Sequence, residues 1–71
     1  MSRIRNACIT SFSEEINYDE TCVNYITYHR ELCPDTQRLH YHIYAEFSEK
    51  KSFKQIKEIF KDNTIHIEPR S

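Results

Sequence analysis

Seventy-one residues make one small domain, and chains of this size bury only about 60% of the surface they expose when unfolded. Hydrophobics at 38%, nine aromatics among them, suffice for a modest core, and the 30% of charged residues are mixed in sign, which argues against disorder. A net charge of −1 excludes a globally basic nucleic-acid binder, and no run is apolar and long enough for a membrane span or a signal peptide. A cytosolic or nuclear setting, not a secreted one, is the expectation. Cys8, Cys22 and Cys33 are odd in number and widely spaced, which fits reduced thiols better than a disulfide framework or a zinc cage. With no glycine in the chain, the turns must rely on Asn, Asp, Ser and two prolines.

No repeat, low-complexity tract or linker interrupts residues 1–71. The first apolar run, residues 4–12, reads as a strand with Cys8, Thr10 and Phe12 on one face and Ala7, Ile9 and Ser11 on the other. The acidic SEEINYDE that follows is a turn or at most a short helix, with Ser13 as a candidate N-cap. Residues 21–32, β-branched and aromatic, form a second strand on which Tyr25, Thr27, His29 and Glu31 share a face. CPDTQR supplies a hairpin loop, and LHYHIYAEF, residues 39–47, is the third strand. Ser52 with Gln55 is a capping-box pattern that opens the one clear helix, with Phe53, Ile56, Ile59 and Phe60 as its apolar stripe. Residues 63–70 alternate Ile65 and Ile67 against His66 and Glu68, a short fourth strand stopped by Pro69.

The order predicts an α+β fold of two layers, an antiparallel sheet of about four strands with one main helix. It approximates the ferredoxin-like or RNA-recognition-type plan with the first helix shortened or absent. In the third strand His40 and His42 stand side by side, opposite Leu39, Tyr41, Ile43, Ala45 and Phe47. Such a pair is either a wet sheet surface or two ligands aimed at one ion. If the second strand turns the same face outward, Glu31 completes a set of two imidazoles and one carboxylate, which suits a divalent cation.

LHYHIYAEF resembles the His-hydrophobe-His motif of the HUH endonuclease domains in replication initiator (Rep) proteins of circular single-stranded DNA viruses, such as geminiviruses, nanoviruses and circoviruses. CITSF, Cys8 to Phe12, is similar to the first Rep motif. Glu31 falls where the family's metal-binding glutamate lies, and KKSFKQIKEIF followed by IHIEP is similar to its Lys-rich capped helix and following strand. The ordered set spans roughly residues 7–70.

The resemblance implies a metal-dependent endonuclease and nucleotidyltransferase that nicks and joins single-stranded DNA at a viral origin hairpin during rolling-circle replication. Glu31, His40 and His42 would hold Mg²⁺ or Mn²⁺, and a tyrosine would attack the phosphorus. Thr10, Ser11 and Phe12 carry over as DNA-contact or site-wall residues. The chain departs from the family in lacking the Tyr-x-x-Lys motif after its last strand: Tyr18, Tyr25, Tyr28, Tyr41 and Tyr44 all precede Phe60. The resemblance therefore places the nucleophile after Ser71, in a longer or split domain, and implies that this stretch alone is inactive. A second departure is the little room between Phe12 and Glu31 for the family's first helix.

Lys50, Lys51, Lys54, Lys57 and Lys61 cluster in one segment, either a solvated helix face or a phosphate-contacting edge, and Arg3, Arg5 and Arg38 are further candidates. Tyr25 and Tyr44 are candidates for base stacking. The alternative function is a non-catalytic module with an RRM-like sheet that binds single-stranded nucleic acid or a protein partner, its histidines merely exposed. An open sheet edge or uncovered apolar face would invite homo-oligomerisation or pairing with the missing segment.

Overall fold

The structure, a computed structural model, describes residues 3–32, 34–35 and 37–70. Cys33 and part of the expected hairpin loop, Cys33 and Thr36, lie outside the described residues. Four strands, β1 (Ile4–Ser11), β2 (Val23–Leu32), β3 (Leu39–Lys51) and β4 (His66–Arg70), are joined by one 3₁₀ turn (Glu20–Cys22) and one helix, α1 (Phe53–Ile59). The sheet order is β2-β3-β1-β4 with every neighbouring pair antiparallel. Helix and sheet make the expected two-layer α+β fold. No helix among the described residues is long and apolar enough to cross a membrane.

This order makes β1 parallel to β2 and β3 parallel to β4, so two crossovers must return along the sheet. The second uses α1. The first has residues 12–22 between β1 and β2. Ser11 lies opposite Tyr41 and Val23 opposite Phe47, six residues along β3, a return of about 20 Å, with about 10 Å of sideways travel over two strand spacings. Eleven helical residues would reach only about 16 Å. An extended path is therefore forced, and the first helix of the ferredoxin-like plan has no room.

The extended segment covers part of the sheet itself. Ile16, Tyr18 and Cys22 pack against the core of Ala7, Ile9, Ile43, Ala45, Phe47, Ile56, Ile59, Phe60, Ile65 and Ile67. Two ties hold it down: the Ser13 hydroxyl donates to Asp62 Oδ2 at 2.7 Å, and the Asp19 backbone N–H donates to the Ile59 carbonyl at 3.0 Å. Ser13 is thus an anchor to the α1–β4 turn and not a helix cap; Asp19 caps the 3₁₀ turn instead. Cys8 and Cys22 are free, half-buried thiols.

The α1 entrance is a complete capping box, with Gln55 N–H donating to Ser52 Oγ and Ser52 N–H donating to Gln55 Oε1. Ile56, Ile59 and Phe60 are buried as expected, but Phe53 is 42% exposed. As the first helical residue it lies beyond the sheet-facing stripe. At the exit, the Lys61 N–H donates to the Glu58 carbonyl and the Asp62 N–H to the Lys57 carbonyl, a Schellman closure that needs a left-handed residue at position 61. Lys61 takes it, at φ 55°.

Two strand ends differ from expectation. β3 continues to Lys51 before Ser52 starts the helix, since Lys51 still pairs with Ile4 of β1 beyond a register shift. Pro69 does not stop β4 but lies within it opposite Ala7. That is tolerated because β4 is an edge strand and its outward side needs no donor.

One irregularity governs the opposite face. Val23 pairs with Phe47 and Tyr25 with Glu46, so two residues of β2 advance the register by one on β3. Asn24 is a β-bulge. Val23 and Ile26 therefore both meet the core, while Tyr25, Thr27, His29 and Glu31 turn to the face away from α1, opposite Glu46, Tyr44, His42 and His40.

Two predictions follow from the α1 exit. A side chain at a left-handed position costs about 1–2 kcal/mol, partly offset by the unfolded-state entropy a glycine adds. Lys61→Gly should therefore raise stability by about 0.5–1 kcal/mol in chemical denaturation. Asp62 is held below the usual carboxylate range, first by the Thr64 hydroxyl and then by Ser13. Its contribution is present above the ordinary aspartate pKa and lost as pH falls through its lowered folded value. Asp62→Asn should cost about 1 kcal/mol at pH 7, and the difference from wild type should shrink in melts taken near pH 3.

Candidate functional site

The face away from α1 is a grid set by pairing. Glu31 stands opposite His40, and His29 opposite His42; Thr10 on β1 faces His42 from the other side, with His66 beyond it on β4. β3 supplies His40 and His42 because its odd-numbered residues Ile43, Ala45 and Phe47 are committed to the core. The Asn24 bulge delivers Glu31 to the same face.

The side chains converge. His40 Nε2 and His42 Nε2 are 3.0 Å apart, and His42 Nε2 is 3.4 Å from Glu31 Oε2. One ligand atom from each of Glu31, His40 and His42 lies within 4.8 Å of the other two. A divalent ion bound at about 2.1 Å spaces adjacent ligands by about 3 Å, so this donor set fits such an ion in size and chemistry. Two facing imidazole nitrogens at 3.0 Å need a proton between them in the metal-free state. His40 Nδ1 is buried without a hydrogen-bond partner.

His29 adjoins the trio. Its Nε2 lies 2.8 Å from Glu31 Oε2. An ionised carboxylate only accepts, so His29 Nε2 carries the hydrogen. That hydrogen bond, followed by the nearby His42, His29 and His40 rings, holds the Glu31 carboxyl below its ordinary range, against the opposing effect of desolvation. A shallow depression of about 340 Å³ bordered by Thr27, His29, Glu31, His42, Tyr44 and Cys8 opens beside the group.

Several of the other sequence candidates gather here. Phe12 sits just past β1 with its ring centroid 5.7 Å from that of His40, and the Arg38 guanidinium lies 4.3 Å above the Phe12 ring. Thr10 shares the face. Ser11 does not: it is 3% exposed on the helix side, where its hydroxyl accepts from the Ser13 N–H. Strand alternation thus sets Ser11, expected as a DNA-contact or site-wall residue, behind the sheet and apart from Thr10.

The lysines also stand apart. Lys54 and Lys57 belong to α1, on the layer behind the sheet. Lys50 and Lys51 end β3, eight residues or more beyond His42, about 26 Å along the strand. A larger groove past Phe12 and Arg38 is lined by Glu14, Glu15 and Asp62 as well as Lys61, so it does not present a uniformly basic wall.

None of the tyrosines is poised at the group. The Tyr44 hydroxyl donates to Glu46 at 2.7 Å, two residues further from the histidines, and this bond first of all holds its phenol above the ordinary range. Tyr25 rests against Tyr44 with ring centroids 6.2 Å apart. Tyr18 packs on Phe60, and Tyr28 pairs with Tyr41 at half-exposed to half-buried positions. His29 and the Arg38–Phe12 stack are what sequence reading missed. The signal for His29 was present, a second polar ring two residues before Glu31, but alternation alone does not say what touches what.

No family model, curated protein or solved structure matches the chain.

The Glu31 carboxyl should titrate below ordinary glutamate in a ¹³C NMR pH series. In His29→Ala the midpoint should rise toward the ordinary value; an unmoved midpoint would assign the shift to another cause.

Proposed function

We propose that residues 1–71 form the metal-binding core of an HUH-type endonuclease domain of the replication-initiator kind, which nicks and joins single-stranded DNA. The observation that carries this reading is the convergence of Glu31, His40 and His42 from adjacent strands within 4.8 Å. The ordered motifs from CITSF to IHIEP support it.

On this reading the three side chains hold Mg²⁺ or Mn²⁺, and the ion when bound would polarise a phosphate oxygen. Two imidazole donors favour Mn²⁺ over Mg²⁺ as the tighter occupant. Both rings ligate only as neutral imidazoles, the shared hydrogen moving to a ring's Nδ1, and protonation to imidazolium competes with the ion, so binding should weaken on acidification. Arg38, its guanidinium over the Phe12 ring, offers N–H donors to a neighbouring phosphate. Thr10 supplies a hydroxyl on the same face, and Tyr25 and Tyr44 offer ring faces to unpaired bases. The attacking tyrosine is not among those of this stretch, since Tyr44, the tyrosine next to His42 on the histidine face, is turned to Glu46. Lys50, Lys51, Lys54 and Lys57 would meet only DNA that leaves the sheet face and passes to the far end or the helix layer. Such an initiator would act in the host nucleus or cytoplasm, on an origin hairpin. The open outer edge of β2 and the half-exposed Tyr28, Leu32 and Leu39 offer a surface for self-association or for further chain.

A second reading, a non-catalytic module for single-stranded nucleic acid, is favoured by the absence of a tyrosine hydroxyl at the group among the described residues. It predicts chelator-indifferent DNA binding.

A thermal-shift titration decides between them. At about a hundredfold excess over Kd, a ligand specific for the folded state contributes about 2.7 kcal/mol. Mn²⁺ should therefore raise the midpoint by several degrees in the wild type and hardly at all in His40→Ala. No shift in the wild type, or an equal one in the variant, removes the metal site.

A further inference from the structure

His40, His42 and Glu31 differ in how they are held. The two histidines stand on β3, an inner strand flanked by β2 and β1. Glu31 stands on β2, which is an edge strand, and its side chain is 48% exposed. A glutamate there has three torsions and a side chain that is only about half covered. As a ligand it would spend most of its time elsewhere unless something held its carboxylate.

The structure shows what holds it. His29 Nε2 lies 2.8 Å from Glu31 Oε2. Among the described residues this is the one hydrogen bond that any of the three candidate ligands receives from a side chain outside the trio; His40 Nδ1 has no partner at all. The His29 ring is itself located by its cross-strand neighbour, since His29 and His42 pair in register with ring centroids 5.5 Å apart and tilted by 31°. His29 is not a fourth member of the converging set, which comprises Glu31, His40 and His42, because its Nε2 is engaged with the carboxylate.

We infer that His29 is a positioning residue for the cation site: its Nε2–H fixes the Glu31 carboxylate in the orientation that completes the set with His40 and His42. The inference rests on the metal reading above. Residues that orient a ligand in this way typically contribute about 10–100-fold to metal affinity. A glutamine at 29 retains an N–H donor, whereas an alanine does not.

The test uses Zn²⁺, which favours imidazole and carboxylate ligands and leaves NMR spectra intact. Calorimetry of the whole chain should show His29→Ala binding Zn²⁺ about 10–100-fold more weakly than wild type, with His29→Gln recovering most of the loss. In ¹⁵N imidazole spectra of the Zn²⁺-loaded wild type, His40 and His42 should carry metal-bound nitrogens while His29 Nε2 stays protonated. Equal affinities for wild type and His29→Ala would overturn the role of His29 and leave the site standing. A metal-bound His29 nitrogen would also overturn it, making His29 a ligand. A wild type that binds no Zn²⁺ would take away the site and the inference together.

Discussion

The register of β2 on β3 is the constraint on which the rest depends. Strand alternation ties Glu31 to every other residue of β2, so its face is decided wherever that strand is pinned. The core pins it at both Val23 and Ile26, three positions apart, which an unbroken alternation cannot satisfy. The Asn24 bulge resolves the conflict, since two residues there oppose one step of β3. A regular β2 that kept Val23 in the core would send Tyr25, Thr27, His29 and Glu31 toward the helix layer. The histidines would then stand opposite Arg30 and Tyr28, with no carboxylate beside them.

The division into two layers follows from equally simple reach. Eleven residues cannot cross from the end of β1 to the start of β2 as a helix, so they cross extended and are held by Ser13 on Asp62 and by Asp19 on the α1 C-terminus. α1 and this segment together cover β1, β3 and β4, where the core lies. The outer half of β2 stays open on the helix side, with Tyr28 and Leu32 half exposed. Both faces of β2 are thus accessible. One carries the ligand candidate and its histidine neighbour, and the other carries apolar side chains.

Electrostatics on the site face are local. At the converging group Glu31 is one carboxylate among the imidazoles of His29, His40 and His42, and its pKa is lowered mainly by a hydrogen bond and secondly by nearby rings. The lysines lie on another layer or far along β3, whereas the Arg38 guanidinium stands over Phe12, whose ring adjoins His40. Binding on such a face should depend more on geometry and a bound cation than on a broad positive field.

Much of this was legible in the sequence. The period-two runs marked the strands and their shared faces, Ser52 and Gln55 marked the helix entrance, and His40-x-His42 marked the pair. These are local facts, fixed by strand and helix geometry within a few residues. Sequence misplaced Ser13, Phe53 and Pro69, because a distant acceptor, how far the core reaches along the helix and the edge position of β4 are not local. Which face of β2 joins the histidines, and that His29 grips Glu31 there, was decided only in three dimensions. A strand's alternation says which side chains travel together, but only its packing against neighbouring strands says toward what.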